Sequence, residues 1–327
     1  GGGSAGSVLA NRLSKHNTVL LLEAGGNPHP VSLSPLSVGF LMHAPMVDWQ
    51  YYTEPQKLAA FGFVQNRTVW PRGKSLGGSS VTNAMIYMRG NPRDYDQWAK
   101  ATGDESWRYK NLLPFFKKLE TYEGNYKNDS IHGSDGPVSV QPVSFVPGNK
   151  QWLQAAREMG YKIRDLNAHQ KQGFMVTEST MHNGMRSDTY RSYLRDLKRR
   201  LNLVISRFSY VIKVHLDLQR NAYGVTYIRH GMQKFVRANK EIILSAGAIN
   251  TPHLLLLSGI GPKRHLNSKG LRCRVNLPVG RNLQDHVMTI LGPVVVNESV
   301  SFLADRNISV YTGLEYLVNR EGKFPMR

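Results

Sequence analysis

The sequence GGGSAGSVLANRLSKHNTVLLLE, residues 1–23, carries the strongest structural signal in the chain. It begins with a glycine turn and continues into residues 4–13, where apolar side chains recur at helical spacing. It ends in a continuous apolar run over residues 18–23, and such a run is typical of a strand buried on both faces of a parallel sheet. The order of turn, helix and buried strand predicts most of a βαβ unit.

The glycines of this unit predict a dinucleotide site. Gly1 allows the tight turn, Gly3 lets the backbone approach a pyrophosphate, and Gly6 lets the helix pack closely on the sheet. Glu23 ends the next strand roughly 20 residues after the turn, where a carboxylate can hydrogen-bond an adenosine ribose and would repel a 2′-phosphate. NADP is therefore disfavoured. An accidental glycine-rich linker would explain the glycines but not the strand that ends in an acid.

Length and composition indicate a folded chain with ample core. At about 150 residues per domain, 327 residues suggest two domains or one large α/β unit. A hydrophobic content of 41% with 20% charged residues argues against the disordered class. Cys273 is the single cysteine, which excludes an intramolecular disulfide framework and any multi-cysteine metal site. The longest apolar run, around residues 254–257, is far shorter than the ~18 residues of a membrane span, so no span is predicted.

The formal net charge of +19 raises the question of nucleic-acid binding. The 42 lysines and arginines are scattered, however, with local runs such as those at residues 117–118 and 198–200. Both runs are interpreted as the solvated side of an amphipathic helix. The sequence therefore predicts no nucleic-acid partner, although a polyanion-binding chain stays as an alternative.

Two further segments bring a glycine turn to the start of a helix. Residues 77–80, Gly-Gly-Ser-Ser, offer small side chains and free amides that predict a second anion cradle. Residues 241–244 are predicted as another buried strand, residues 245–247 as a tight turn, and residues 250–257 as a helix with Pro252 near its first turn.

These motifs, taken in order, resemble the glucose-methanol-choline family of FAD-dependent oxidoreductases, and most of all its metazoan glucose dehydrogenase-like members. The resemblance covers essentially the whole chain and rests on the segments RGKSLGGSSVTN (72–83), LEAGG (22–26), NPRDYD (91–96), HG and GP (132–137), SAGAINTP (245–252) and VGRNLQDH (279–286), together with the first glycine turn.

The resemblance implies an α/β fold with two discontinuous domains. A Rossmann-like FAD-binding domain, a parallel sheet with helices, is expected over residues 1–100 and 191–286. An α+β substrate-binding domain is expected over residues 101–190 and 287–327, with its C-terminal part missing. The chain has no strand before the first glycine turn and ends soon after an apparent helix at residues 311–317, so we expect an N-terminal fragment that is open at both ends.

The resemblance also implies the cofactor-binding residues. The ADP part of FAD is expected at Gly1, Gly3, Ser4, Gly6 and Glu23. The pyrophosphate, ribityl and ring region is expected at Arg72, Gly77, Ser79, Asn83 and Met85, and the Val211 backbone is expected near adenine. Plain structural roles compete with some of these: Asn83 as a polar residue at a helix N-terminus, Met85 as a core residue, and Val211 as part of the alternating strand 209–218.

Thr82 departs from members that carry a covalently linked histidine at the matching position. A threonine has no imidazole to bond the flavin, so non-covalent FAD is expected.

The activity implied by the resemblance is oxidation of the CH–OH group of an alcohol, sugar or choline-like substrate. Hydride would pass to flavin N5, and the electrons would pass to a quinone or another acceptor. The family's catalytic histidine pair, or histidine and asparagine, is expected beyond Arg327, so none of the 11 histidines is assigned a catalytic role and the fragment as given is expected to be inactive. A redox-inactive FAD-containing lyase of the same fold, or a non-catalytic truncated chain, would show the same motifs.

Glycosylation sequons and the family likeness favour a secreted protein, with mitochondrial import as the alternative. The sequons begin at Asn66, Asn128, Asn297 and Asn307.

Overall fold

The structure is a computed structural model that describes residues 1–128, 130–143, 146–168, 171–197, 199–286, 297 and 309–319. The described helices are α1 (Ser4–Leu13), α2 (Val38–Leu41), α3 (Pro92–Thr102), α4 (Tyr109–Leu119), α5 (Asn149–Glu158), α6 (Thr189–Tyr193), α7 (Gly247–Leu257), α8 (Lys263–Ser268) and α9 (Val310–Asn319). Short 3-10 helices cover Pro30–Leu33, Pro35–Ser37, Val64–Asn66, Gly78–Ser80, Glu105–Trp107 and Arg195–Leu197.

The described strands are short in most of the chain. They are β1 (Val19–Leu22), β2 (Tyr51–Tyr52), β3 (Val69–Trp70), β4 (Glu120–Tyr122), β5 (Val138–Pro142), β6 (Glu178–Ser179), β7 (Met181–His182), β8 (Met185–Arg186), β9 (Leu203–Ser206), β10 (Ser209–Leu216), β11 (Ala222–Arg229) and β12 (Met232–Arg237).

The chain divides into two compact units, each made of separate segments. The first unit contains the described residues of Gly1–His29, Leu41–Thr82 and Thr189–Val294, and the second those of Pro30–Phe40, Asn83–Asp188 and Val295–Arg327. Residues 30–40 and 83–100 group with the second unit, although the predicted FAD-binding domain includes them. Most of the predicted segment 287–327 lies outside the described residues. The domain assignment stays a prediction.

The first unit contains the predicted helix and buried strand. The helix occupies residues 4–13 as predicted, and β1 pairs in parallel with β9 so that Val19 lies opposite Leu203. Strands β10, β11 and β12 form an antiparallel sheet in that order. Its core is a buried cluster of Val214, Val225 and Leu254, against which Leu22 of β1 packs. Helix α7 thus joins β1 and the antiparallel sheet around one core.

The predicted strand at residues 241–244 was wrong. Ile242 and Leu244 pack against the Leu254 cluster, so the apolar run is used for packing as expected. Yet no strand is assigned at residues 241–244, and among the described residues β1 pairs with β9 alone. A strand requires hydrogen-bonding partners for its backbone. An apolar run by itself determines that the segment is packed in the core, but it does not supply those partners.

The second unit combines helices α3, α4 and α5 with a small mixed sheet. Strand β5 pairs in parallel with β4 and antiparallel with β6. Helix α3 begins at the predicted motif, because the Asn91 side chain accepts the Arg93 N–H and Pro92 occupies the first turn. Gly103, with φ 70°, follows the last turn of that helix. The buried cores here are Tyr87, Tyr122 and Val140, and separately Met85, Val143 and Met181.

A buried network of charged side chains also belongs to the second unit. The Arg89 guanidinium donates to Glu120 Oε1 at 2.5 Å, and the His132 ring lies between Glu120 Oε1 at 3.0 Å and Asp165 Oδ2 at 2.9 Å. A neutral imidazole has one N–H, so both ring nitrogens can donate to carboxylates only when the ring is protonated. Burial alone would lower the pKa of His132, but the bonds to Asp165 and Glu120 outweigh it and raise that pKa.

Candidate functional site

The first two glycine-rich segments are in direct backbone contact. The Gly77 N–H donates to the Gly2 carbonyl at 2.7 Å. A Cβ placed on Gly78, whose φ is +54°, would lie 2.7 Å from the Gly3 Cα, a separation that real Cβ atoms do not adopt. A side chain at Gly78 would therefore push the two segments apart.

The third turn closes onto the first. The Ser245 hydroxyl donates to the Gly1 carbonyl at 2.8 Å. A Cβ on Gly6 would lie 1.9 Å from that same carbonyl oxygen and 2.7 Å from Ser245 Oγ. Gly6 therefore packs closely against the turn itself, and its predicted role in packing the helix on the sheet stays a prediction. Three chain segments, around residues 1–6, 73–80 and 245–251, meet at the start of α1.

The start of α1 presents backbone donors without a side-chain cap. Gly3 occupies the N-cap position and supplies no side-chain acceptor, and the first turn contains no acidic residue. The first N–H groups of a helix have no partner within the helix, and they favour an anion. Ser4 is exposed at this point. The arrangement has the charge and the donors that bind a phosphate group.

The carboxylate of Glu23 holds the glycine turn against the end of β1. Its Oε2 accepts the Gly2 N–H at 2.7 Å and its Oε1 accepts the Gly25 N–H at 2.8 Å. The side chain is buried. Each carboxylate oxygen can accept more than one hydrogen bond, so these contacts leave capacity for a hydroxyl donor.

A cavity of about 1160 Å³ opens beside these segments within the first unit. Of the predicted cofactor residues, it is lined by Gly1, Gly3, Ser4, Gly6, Glu23, Arg72, Ser79 and Val211. Gly77 is not in the lining, although its neighbour Gly78 is. The cavity extends along β1 to residues 240–244, where Ile242, Ile243 and Leu244 contribute apolar lining.

Arg72 and Ser79 are held by the loop around them. The Ser79 hydroxyl accepts the Gly73 N–H at 3.1 Å, and the Arg72 N–H donates to Asp48 Oδ1 at 3.3 Å. Arg72 Nε donates to the Pro71 carbonyl at 3.0 Å, and the other guanidinium nitrogens have no partner among the residues that the structure describes. Arg72 is exposed, so these donors are available to an anion.

Val211 has the strand role considered for it and lines the cavity, and its contact with adenine stays a prediction. It lies in β10 opposite Tyr227 and packs beside the Leu254 cluster, as the strand interpretation requires. The register shifts between Val211 and Lys213, which leaves an extra residue in β10 at the cavity edge.

The family model for "GMC oxidoreductase" matches residues 1–288. The chain belongs to the GMC oxidoreductase family. This confirms the resemblance predicted from the motifs.

Curated relatives of this GMC chain include two kinds of dehydrogenase. It is 40% identical over 337 residues to oxygen-dependent choline dehydrogenase of Staphylococcus xylosus. The alignment covers 98% of this chain and 58% of the relative. It is 39% identical over 332 residues to glucose dehydrogenase (FAD, quinone) of Drosophila melanogaster, covering 98% and 52%. The chain therefore spans little more than half the length of these relatives.

Solved structures confirm the predicted α/β, Rossmann-like fold class. Pyridoxine 4-oxidase from Mesorbium loti matches with a TM-score of 0.79 and 33% identity, over 85% of this chain and 54% of that one. An FAD-dependent oxidoreductase from Chaetomium thermophilum matches with a TM-score of 0.83 and 30% identity, over 99% and 58%.

Two predicted GMC cofactor residues, Asn83 and Met85, belong to the second unit. Met85 is 1% exposed and packs with Val143 and Met181, which is the core role considered as its alternative. Asn83 is exposed and does not lie at a helix start. Their contact with a cofactor stays a prediction.

Sequence reasoning missed the aromatic side chains of the cavity. Trp49 and Tyr51 stack with ring centroids 5.9 Å apart, and the Tyr51 hydroxyl lies 2.6 Å from Asn250 Oδ1. Burial raises the pKa of Tyr51. The signal for these residues is the run DWQYY at residues 48–52, an aromatic cluster beside Asp48.

Asp48 was missed as well. It is buried and accepts the backbone N–H groups of His43, Gln50 and Arg72, so it shapes the loop that carries Arg72. Within the described ranges, no group of three or more His, Cys, Asp or Glu side chains could hold a metal ion. No described helix is long and apolar enough to cross a bilayer.

Proposed function

We propose that this chain binds FAD in the cavity of the first unit and supplies the cofactor-binding part of an oxidoreductase. The observation that carries the proposal is the meeting of three glycine-containing turns at the uncapped start of α1, beside Glu23. The proposed cofactor residues are Gly1, Gly3, Ser4, Gly6, Glu23, Arg72, Gly77, Ser79, Asn83, Met85 and Val211.

The described residues fit the cofactor in its ADP half. The contact between Gly3 and Gly78 leaves backbone exposed where a Cβ would otherwise stand, which suits the close approach of a pyrophosphate. Unpaired helix N–H groups and the free Arg72 donors suit its charge. Glu23 retains acceptor capacity for a ribose hydroxyl.

The substrate class proposed is an alcohol, a sugar or a choline-like compound, oxidised at its CH–OH group. The names of the relatives support it, since one is a choline dehydrogenase and another a glucose dehydrogenase (FAD, quinone). Bound FAD would supply a two-electron acceptor, with a quinone or another compound as the final acceptor. We assign no catalytic residue among the described side chains.

Two further properties are proposed on the same basis. FAD is held without a covalent bond, because Thr82 offers no imidazole. The protein is secreted, a proposal that rests on the four sequons, of which the one at Asn128 has an exposed asparagine.

The proposal is tested by FAD binding in a matched pair of variants. Gly78→Ala and Gly231→Ala both place a side chain at positive φ, but only the former meets backbone, since nothing lies within 4 Å of the Cβ position at Gly231. We expect one FAD per wild-type chain, retained in Gly231→Ala, and a dissociation constant raised about tenfold or more in Gly78→Ala. Wild-type protein that binds no FAD would contradict the proposal.

The oxidoreductase activity needs a separate readout. In the full-length protein, under anaerobic conditions, we expect choline, glucose or a simple alcohol to bleach the visible absorption of the bound flavin. Retained FAD that no CH–OH compound bleaches would instead favour a redox-inactive protein of the same fold.

A further inference from the structure

One face of the antiparallel sheet β10–β11–β12 packs on the core of the first unit. Val214, Val225 and Val236 lie directly opposite one another on the three strands. This row packs with Leu254 of helix α7. Directly opposite residues of an antiparallel sheet share a face, and successive residues of a strand alternate between faces. The rows on either side of the valines therefore lie on the reverse of the sheet, which we call the outer face.

The outer face carries cationic and aromatic side chains. Its two rows, read from β10 to β12, are Lys213, Thr226 and Phe235, and then His215, Gly224 and Arg237. The His215 Nε2 lies 2.7 Å from the Thr226 hydroxyl, and the His215 and Phe235 rings meet edge to face with centroids 5.3 Å apart. Phe235 also covers Gly224, where a Cβ would lie 2.5 Å from the ring. Phe235 is 53% exposed, so the ring presents apolar surface to solvent.

The positive charge of this segment has no acidic counterpart in the two rows of the outer face. Residues 207–240 contain seven Lys and Arg but a single acid, Asp217. The Asp217 carboxylate accepts the backbone N–H and the side-chain amide of Asn221 in the turn that follows β10. Among the residues that the structure describes, neither Lys213 nor Arg237 forms an ion pair. The outer face therefore carries positive charge that no neighbouring carboxylate neutralises.

A third cation lies beside β10. Arg274 Nη1 donates to the Leu216 carbonyl at 3.2 Å, at the end of that strand. Burial lowers the pKa of His215, and the nearby Lys213 and Arg274 lower it further. The charge of the outer face is therefore carried by Lys and Arg side chains, while His215 is neutral at neutral pH.

The cations are spread across the sheet. Lys213 and Arg237 lie on its first and third strands, two residues apart in register. With strands about 4.8 Å apart and a rise of about 3.4 Å per residue, their Cα atoms are separated by roughly 12 Å. Such a spacing suits anionic groups that repeat along a polymer.

We propose that the outer face binds a sulfated polysaccharide. Its sulfate groups pair with the three cations, and the C–H face of a sugar ring packs on Phe235. The choice of this polyanion rests on the proposed function, in which the protein is secreted and meets extracellular polysaccharides. A nucleic acid carries similar charge, and the test includes it as a contradicting outcome.

The test compares Lys213→Glu with Lys234→Glu. Lys234 is exposed and lies in the row of Val211 and Tyr227, so the two variants change the charge equally on opposite faces of one sheet. In calorimetric titrations with a heparin oligosaccharide, we expect Lys213→Glu to raise the dissociation constant about tenfold or more near physiological salt. The dependence of log Kd on log salt should also lose about one unit of slope. Lys234→Glu should stay within about threefold of the wild type with an unchanged slope.

Phe235→Leu tests the sugar contact separately from charge, with Phe208→Leu as its control. Leucine keeps an apolar side chain over Gly224 but removes the flat ring. We therefore expect the heparin dissociation constant to rise about threefold or more, with the salt slope of the wild type. Phe208 is 52% exposed and also covers a glycine, Gly26, but it lies outside the rows of the outer face. Its variant should bind heparin as the wild type does.

Several results would overturn the proposal. They are wild-type protein that binds no heparin, equal effects of the two lysine variants, full heparin affinity in Phe235→Leu, and tighter binding of a single-stranded DNA of equal charge that Lys213→Glu weakens. Inorganic sulfate that displaces heparin better than chloride at equal ionic strength would also overturn it, because a single ion would then suffice. The heparin titration needs no FAD, so wild-type protein that binds heparin but no FAD would contradict the proposed function alone.

Discussion

At the scale of single residues, Glu23 shows how a cofactor residue can also be a structural one. Its two oxygens accept N–H groups from both sides of the β1 end, from Gly2 and Gly25. The glycine turn therefore depends on this carboxylate even without a ligand. Asp48 acts in the same way on the loop of Arg72. In both places a buried carboxylate substitutes for regular secondary structure in satisfying backbone donors.

Glu23→Gln is expected to weaken the turn and the FAD site together. The amide offers one oxygen where the structure needs two acceptors, and its NH₂ would face a backbone N–H. We expect a loss of about 1–3 kcal/mol in the free energy of unfolding, measured in urea, and weaker FAD binding.

The matched control is Glu105→Gln. Glu105 is exposed and pairs with Arg108 on the surface of the second unit. Its substitution should change stability by no more than about 0.5 kcal/mol. Equal effects of the two substitutions would show that Glu23 is not a structural acceptor.

At the scale of elements, much of the first βαβ unit follows from the sequence. Helix α1 and strand β1 have the predicted type and nearly the predicted limits, because a glycine turn, a helical period and an uninterrupted apolar run each permit few alternatives. Residues 241–244 have an equally apolar run, but strand formation depends on a neighbouring backbone that no local pattern encodes.

The parts of the candidate site formed by a local backbone turn could be predicted from the sequence. The parts formed by side chains that are far apart in the sequence could not. The spacing of Gly1, Gly3 and Gly6 indicates a phosphate-binding turn by itself. The bonds of Asn83 with Arg186 join residues 103 positions apart, and no local signal connects them. The bond of Asp48 to the Arg72 N–H likewise spans 24 positions, and no local signal connects those two residues.

The buried network around His132 predicts a pH dependence of the second unit's stability. The folded pKa of His132 is raised, so its contribution is fully present below the unfolded value of about 6.5 and is lost as the pH rises through the folded pKa. Burial raises the pKa values of Asp165 and Glu120, but their bonds to His132 outweigh it and lower them, so the carboxylates contribute stability that is lost in acid.

His132→Gln checks this prediction. We expect the free energy of unfolding to fall by about 3–5 kcal/mol near neutral pH, because buried carboxylates lose a cationic partner. The decline of stability with rising pH should also disappear. His182 is exposed, and its ring nitrogens lie 3.2 Å from the Ser139 hydroxyl and 3.2 Å from the Asn183 amide, with no carboxylate partner among the described residues, so His182→Gln should keep the wild-type profile. An unchanged profile in His132→Gln would contradict the assignment.

At the scale of the whole molecule, the net charge of +19 produces long-range repulsion between the charged groups of the chain. Like charges repel in a compact chain, and salt screens them over about 10 Å at 0.1 M. We expect the thermal midpoint to rise by about 2–4 °C when sodium chloride is raised from low to moderate concentration, followed by circular dichroism. A midpoint that falls over this range would show that local ion pairs such as Arg89–Glu120 outweigh the general repulsion.

The contact between Gly3 and Gly78 has an evolutionary consequence. A methyl group on Gly3 would sit 3.7 Å from Gly78 Cα, an ordinary separation, whereas one on Gly78 would sit 2.7 Å from Gly3 Cα. The protein's own atoms therefore tolerate a mutation to alanine at position 3 and exclude one at position 78 by steric clash. A lineage that lost the cofactor would therefore change codon 3 first, and alanine there in a descendant would be an early sign of a lost ligand rather than of a lost fold.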